Sequence, residues 1–141
     1  MSQTEILLLQ VDVADELKRL ISRPKRLPFL PALRRLAGVD EEHSAAAAGM
    51  LVRHFLLGAI SSLSGMYEFD GKQYEAEKMR RVYRVLFGFD AANCSVINRR
   101  YRAMRILGIP WSDAKWRRDP ERDFVLIFAE HMSPAPYQNT S

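Results

Sequence analysis

Apolar residues recur at three- and four-residue spacing along most of the chain, a periodicity that predicts amphipathic helices. The first stripe of this kind consists of Ile6, Leu9, Val13, Leu17, Leu20 and Ile21. It predicts a helix over residues 3–21, preceded by Ser2, which has the spacing to Glu5 of a capping box. The helix is expected to end before Pro24, because proline lacks the backbone donor that a helix interior requires.

Three prolines in residues 22–31 predict a connector between helices. Each proline disfavours helical geometry at the residue before it, so the connector is expected to be extended. Its apolar residues, which are expected to attach it to the body of the protein, are Leu27, Phe29 and Leu30. A short helix is expected next, over residues 32–38, with Gly38 as its left-handed cap.

Residues 45–63 are apolar on nearly every side of a helix, a pattern typical of a central helix that its neighbours bury. Asp40 is expected to cap this helix. Gly49 and Gly58 each cost about 1 kcal/mol of helix propensity relative to alanine, a cost that close packing of another helix would offset. We therefore predict that this helix is the most buried one and that Gly58→Leu destabilises the protein by overpacking.

The segment at residues 66–75 contains an Asp-Gly pair between two short alternating runs, which predicts either a turn or a minor hairpin. Residues 74–87 then predict a helix whose buried stripe comprises Met79, Val82, Tyr83 and Leu86. At residues 119–121 the order acid, proline, acid indicates a helix start. The apolar run at residues 124–132 is therefore interpreted as helix, although its length also fits a strand.

These elements predict an all-α fold of five to six helices around the apolar helix at residues 45–63. Residues 1–132 are expected to form a single domain, since their number suits one hydrophobic core. The polar, proline-bearing residues 133–141 are expected to form a flexible tail.

The overall composition is that of a soluble globular protein, with 48% hydrophobic and 27% charged residues. A lone cysteine, Cys94, excludes an internal disulfide. The longest apolar stretch is interrupted by Arg53 and His54, which a membrane-spanning helix would have to bury. We therefore expect a cytoplasmic protein that has no membrane association.

Positive charge is concentrated in one part of the chain. Residues 71–118 hold 12 basic and 4 acidic residues, whereas residues 1–70 and 119–141 carry net charges of −1 and −3. An asymmetry of this kind indicates a partner with negative charge, either duplex DNA or an acidic protein surface. The structural alternative is a solvated basic face that pairs with acids of the C-terminal segment.

Residues 95–107 predict an amphipathic helix with an arginine-rich face. Its apolar positions are Val96, Ile97, Tyr101, Ala103, Met104 and Leu107. Arg100 falls among these and must either reach solvent or find an acid. The opposite face carries Asn98, Arg99, Arg102 and Arg105. Arginine donates two hydrogen bonds to guanine or phosphate and asparagine pairs with adenine, so these four residues are the candidate DNA contacts.

The helix at residues 74–87, a glycine turn and the arginine-rich helix have the order of a helix-turn-helix. The connection is longer than a tight turn unless residues 91–94 belong to the second helix. Further contacts to the DNA backbone are expected from Arg80, Arg81, Arg84, Lys115, Arg117 and Arg118. Trp111 and Trp116 lie among the last of these, and they either stack on bases or, more simply, pack at a corner of the core.

The sequence contains no phosphate-binding loop, nucleophile elbow or metal-ligand spacing, so we expect no catalysis, cofactor or metal. It favours a small DNA-binding or DNA-associated regulatory protein. The alternative is a non-catalytic helical adaptor or inhibitor whose basic surface binds an acidic protein. A homodimer is also expected, because helix-turn-helix proteins usually contact two half-sites. The first helix would pair with its copy, unless its stripe packs on its own core.

Overall fold

The computed structural model describes residues 2–133, which form seven α-helices, one 3₁₀ helix and a two-stranded hairpin. The elements are α1 (Gln3–Ser22), the 3₁₀ helix (Pro24–Phe29), α2 (Pro31–Leu36), α3 (Ala45–Ser61), β1 (Met66–Phe69), β2 (Lys72–Glu75), α4 (Ala76–Leu86), α5 (Val96–Leu107), α6 (Asp113–Trp116) and α7 (Asp119–Met132). The predicted all-α class is confirmed, and residues 119–132 are helix, not strand. Of the expected tail, residues 134–141 lie outside the described part of the chain.

The core forms where α1 packs along α7 and α4 packs along α5. Tyr83 of α4 lies at its centre, with its ring centroid 4.6 Å from that of Phe124 and 4.7 Å from that of Phe128 in α7. The Tyr83 hydroxyl donates a hydrogen bond to the Phe124 carbonyl at 2.6 Å, which satisfies the polar atom of this buried ring. The buried stripe predicted for α4 is confirmed.

The apolar stripe of α1 is also buried against the protein's own core, as the periodicity predicts. The same stripe was expected to pair with a second copy of the protein, and its burial makes it inaccessible to such a copy. The stripe therefore offers no support for a dimer through α1.

A minor hairpin does form, with Phe69 opposite Lys72 in an antiparallel register. Its turn places Asp70 at φ 53° and Gly71 at φ 75°, the left-handed geometry that a two-residue hairpin turn requires. Phe69 anchors the hairpin, because its ring centroid lies 5.0 Å from that of Phe124. The hairpin thus depends on the helical core for its stability.

The proline-rich connector is folded, which corrects the expectation of an extended segment. Pro24–Phe29 is a 3₁₀ helix, because the φ that proline imposes is also a 3₁₀ angle. Leu30 is buried and Leu27 half-buried, but Phe29 is exposed and does not anchor the segment.

The helix after the connector begins at Pro31 and takes its cap from α1. Glu16, which is buried, accepts hydrogen bonds from the backbone N–H groups of Ala32 at 2.7 Å and Leu33 at 2.9 Å. Because the first N–H groups of a helix have no partner within it, this carboxylate joins α1 to α2.

The prediction that α3 is the most buried helix is wrong. Four of its 17 residues are buried, whereas six of the 11 residues of α4 are. The buried positions of α3 form the single stripe Ala48, Val52, Leu56 and Ile60. Phe55 and Ala59 are half-buried against the core, while Met50 and Leu51 are exposed. Single exposed apolar residues of this kind are ordinary on protein surfaces.

The start of α3 and its glycines also differ from expectation. Ser44, not Asp40, caps the helix by accepting a hydrogen bond from Ala47 N at 3.1 Å. A Cβ at Gly58 would meet no atom within 4 Å, so no neighbour packs closely there. At Gly49 a Cβ would lie 3.2 Å from Cγ of Pro28, so the close approach involves the 3₁₀ helix.

Within residues 2–133, the structure contains no helix with the length and apolar character needed to cross a membrane.

Candidate nucleic-acid interface

The arginine-rich helix α5 begins after Ser95, whose Oγ accepts a hydrogen bond from Asn98 N at 3.2 Å. The helix ends at Leu107, and the residue that follows, Gly108, adopts φ 73°. Glycine is favoured in this left-handed conformation because it has no Cβ. Residues 91–94 do not extend the helix, so residues 87–95 separate α4 from α5. This connection is longer than the tight turn of a helix-turn-helix.

The helix is rotated relative to the expected orientation. Its buried residues are Arg99, Arg100, Ala103, Met104 and Leu107. Ile97 and Tyr101 were expected to be buried but are 48% and 43% exposed. The expected buried face is therefore wrong at these two positions. The reason is that two arginines find partners inside the protein.

Arg99 was expected to contact DNA, and its burial corrects this expectation. Only 3% of the residue is exposed. Its Nη1 donates a hydrogen bond to the Leu86 carbonyl, and its Nη2 donates to the Ile21 carbonyl at 2.8 Å. Both carbonyls lie in the last turn of their helices, α4 and α1, where backbone carbonyls have no N–H partner within the helix. Burial, and secondly the charge of Arg100, lower the pKa of Arg99. Arg99 thus joins three helices and is inaccessible to a ligand.

Arg100 pairs with an acid, as its position among apolar residues indicated. Its Nε donates a hydrogen bond to Oε2 of Glu121 at 2.8 Å, and its Nη2 donates one to Oε1 at 3.0 Å. Burial alone would lower the pKa of Arg100, but the hydrogen bonds and charge of Glu121 raise it. Trp116 donates its indole N–H to the same carboxylate at 2.8 Å, so it packs at a corner of the core.

Four of the predicted contact residues converge on one groove. Arg81 and Arg84 of α4 and Arg102 and Arg105 of α5 line a cavity of about 440 Å³, together with Val85, Asp90, Ala91 and Ile106. Asp90 is the acid in this lining, and its Oδ2 accepts a hydrogen bond from Nε of Arg84 at 3.1 Å. In the part of the chain that the structure describes, Arg81, Arg102 and Arg105 form no salt bridge. We refer to this cavity as the α4–α5 groove.

Asn98 extends the same surface along α5. It is exposed and precedes Arg102 by four residues, so the two side chains occupy the same side of the helix. Ile97 and Tyr101 lie beside them on the exposed part of α5. The accessible face of α5 therefore combines amide, guanidinium, phenol and aliphatic groups.

The remaining predicted residues lie elsewhere. Nη1 of Arg80 donates a hydrogen bond to the Leu63 carbonyl at 2.6 Å, which ties α4 to the residues that follow α3. Nζ of Lys115 lies 4.5 Å from the centroid of the Trp111 ring, a cation–π contact. Arg117 and Arg118 are exposed. None of these four residues lines the α4–α5 groove.

The sequence did not identify Asp90 and Glu121 as partners of arginine. In the sequence, the acid–proline–acid helix start at residues 119–121 accounts for Glu121 without any partner. A signal did exist for Glu121, because Arg100 at an apolar position required an acid. Its location in the chain could not be derived from local spacing.

A serine and a histidine also lie close together, at a second cavity bounded by α3 and α7. Oγ of Ser62 lies 2.7 Å from Nε2 of His131 and donates a hydrogen bond to the Ala59 carbonyl at 2.7 Å. The pair forms a contact between the end of α3 and the end of α7.

No protein-family model, no curated protein and no solved structure matches this chain. Within residues 2–133, no three histidine, cysteine or acidic side chains are grouped to hold a metal ion. The arginine-rich lining of the α4–α5 groove is the feature that points to a function.

Proposed function

We propose that the protein binds DNA through the α4–α5 groove and acts as a small DNA-associated regulatory protein without catalysis. The observation that carries this proposal is the convergence of Arg81, Arg84, Arg102 and Arg105 from two helices. One acid accompanies these four cations in the lining, and it pairs with Arg84.

The clustering itself favours a polyanionic ligand. Guanidinium groups that share one groove repel each other, and this repulsion is relieved when a strongly negative partner enters. The phosphates of duplex DNA supply one negative charge per about 1.7 Å of helix axis, a density that few protein surfaces match. Arginine also suits phosphate geometrically, since its planar fork donates two parallel hydrogen bonds.

In this proposal, the accessible face of α5 enters the major groove. Asn98 would contact base edges, while the four arginines that line the α4–α5 groove would contact phosphates. The two buried arginines, Arg99 and Arg100, hold the helix in place through hydrogen bonds to α1, α4 and α7. A recognition surface on a fixed helix loses little conformational entropy on binding.

The test is fluorescence anisotropy of a labelled random-sequence duplex at a series of salt concentrations. For the wild type, the logarithm of the binding constant should fall linearly with the logarithm of salt concentration. Arg102→Ala/Arg105→Ala should reduce the magnitude of that slope by about two units, since each lost phosphate contact removes about 0.9. The fold should persist, because both side chains are exposed.

The matched control is Arg35→Ala/Lys72→Ala, which removes the same charge from exposed residues outside the groove. Its salt dependence should stay close to that of the wild type. The proposal is overturned if the wild type shows no salt-dependent binding to duplex, or if the control lowers the slope as much as the groove variant does.

A protein-binding adaptor is the second candidate, and the exposure of Ile97 and Tyr101 favours it. These residues are 48% and 43% exposed and lie among arginines. Tyrosine and arginine are enriched in protein interfaces and dominate their binding energy. Salt-dependent binding to polyglutamate without binding to duplex, lost in Ile97→Ser/Tyr101→Ser, would favour an acidic protein partner.

A further inference from the structure

A second cluster of positive charge lies where α1 ends. Lys18, Arg19, Ser22, Arg23 and Arg26 line a cavity of about 480 Å³ that has no acid in its lining. We refer to it as the α1 groove. The prediction from sequence did not include it, because residues 1–70 carry a net charge of −1.

The cations of the α1 groove differ in how far the protein itself uses them. Nζ of Lys18 donates a hydrogen bond to the Arg117 carbonyl at 2.8 Å and lies 3.8 Å from Oε1 of Glu121. Lys18 therefore has a structural role. Arg19, Arg23 and Arg26 are exposed, and within residues 2–133 they form no salt bridge.

The helix dipole accounts for only part of this cluster. Cations are favourable near the C-terminus of a helix, but the effect is confined to about its last turn. Arg19 lies in the last turn of α1, whereas Arg23 follows the helix and Arg26 belongs to the 3₁₀ helix. All three nevertheless line the α1 groove, an arrangement that the stability of α1 does not require.

The α1 groove is physically joined to the α4–α5 groove. Arg99 donates hydrogen bonds to the carbonyls of Ile21 and Leu86, which fixes the end of α1 beside the end of α4. The segments beyond these ends also touch, since a Cβ at Gly88 would lie 3.4 Å from Cγ of Pro24. The two grooves thus flank one rigid junction formed by buried Arg99.

We propose that the α1 groove is a second contact with the phosphate backbone of the same nucleic acid that occupies the α4–α5 groove. This proposal rests on the proposed function. Arg19, Arg23 and Arg26 would each neutralise a phosphate, and the Ser22 hydroxyl would donate a hydrogen bond to a phosphate oxygen. Because phosphates are identical at every base step, this contact adds affinity and salt dependence but no sequence preference.

The test uses Arg23→Ala/Arg26→Ala in the same anisotropy titration with labelled duplex. Both residues lie beyond the last turn of α1, so their removal leaves the helix intact. We expect the magnitude of the salt slope to fall by about two units relative to the wild type. Combination with Arg102→Ala/Arg105→Ala should lower it by about four, since contacts to one ligand at separate sites add.

The matched control is again Arg35→Ala/Lys72→Ala, which should keep the slope of the wild type. If Arg23→Ala/Arg26→Ala keeps that slope while Arg102→Ala/Arg105→Ala reduces it, the second contact is overturned and the proposed function stands. If the wild type does not bind duplex, both fail together. A variant that melts at a lower temperature than the wild type is replaced by Arg23→Gln/Arg26→Gln, to which the same outcomes apply.

Discussion

Arg99 and Arg102 lie about one turn apart on α5, yet Arg99 is 3% exposed while Arg102 faces the α4–α5 groove. The guanidinium group of Arg99 donates to two carbonyls at helix ends, whereas that of Arg102 has no salt bridge among residues 2–133. Two arginines of one helix thus have different roles, since Arg99 stabilises the fold and Arg102 is available to a ligand.

This difference in burial predicts that the two alanine variants differ in their stability. Arg99→Ala leaves two buried carbonyls without a donor, and each unsatisfied group costs about 1–3 kcal/mol. We expect Arg99→Ala to lower the free energy of unfolding by about 2–5 kcal/mol, and Arg102→Ala to change it by less than about 0.5 kcal/mol. Urea denaturation followed by circular dichroism measures both. Equal stability of the two variants would contradict the burial of Arg99.

The ion pair between Arg100 and Glu121 gives a second prediction. Arg100→Met removes the nearest cation from the buried Glu121 carboxylate, which keeps the hydrogen bond from Trp116 and the more distant Lys18 ammonium. We expect a loss of about 3 kcal/mol in the free energy of unfolding, since a buried charge is then poorly compensated. Arg100→Met/Glu121→Met removes both charges and should recover part of this loss. A double-mutant cycle by chemical denaturation measures the coupling. Additive effects of the two substitutions would show that the pair contributes nothing beyond its separate members.

Much of the helical framework could be predicted because its signals are local. The stripe of α1 and that of α4 repeat within one helix, and the Asp-Gly pair at residues 70–71 specifies a hairpin turn on its own. The groove was partly predictable for the same reason. Arg81, Arg84, Arg102 and Arg105 all occupy the polar sides of amphipathic helices.

The burial of Arg99 could not be predicted, since it depends on contacts distant in the chain. Its partners are the backbone carbonyls of Ile21 and Leu86. Every residue has such a carbonyl, so the residue type does not indicate which one accepts the hydrogen bond. The α1 groove was missed because the net charge of −1 over residues 1–70 conceals a local cluster of cations at residues 18–26. For α3, apolar composition was taken as burial, but burial depends on whether a neighbour covers each side.

The glycines of α3 provide a third prediction. Gly58 has open space around it, so Gly58→Ala should stabilise the protein by about 0.5–1 kcal/mol through helix propensity. At Gly49 the new Cβ would lie 3.2 Å from Cγ of Pro28, so Gly49→Ala should give a smaller gain or a loss. Thermal melting of the two variants measures the difference. A gain at Gly49 equal to that at Gly58 would contradict the tight contact with the 3₁₀ helix.

The last prediction concerns pH and the carboxylate that caps α2. Glu16 is buried and accepts hydrogen bonds from Ala32 N and Leu33 N. Burial raises its pKa above 4.5 although the two hydrogen bonds act in the opposite direction. The folded protein therefore holds the Glu16 proton more tightly than the unfolded chain does. Between pH 4.5 and the raised pKa, the folded state binds more protons, so the contribution of Glu16 to stability falls as pH rises.

Glu16→Gln removes this titration and keeps the shape of the side chain. The free energy of unfolding of the wild type minus that of Glu16→Gln should be highest below pH 4.5 and should fall as pH rises through the folded pKa. Urea denaturation of the two proteins at matched pH, from below 4.5 to neutral, measures it. A rise of this value toward neutral pH would show that the hydrogen bonds to Ala32 and Leu33 outweigh the cost of burying the charge.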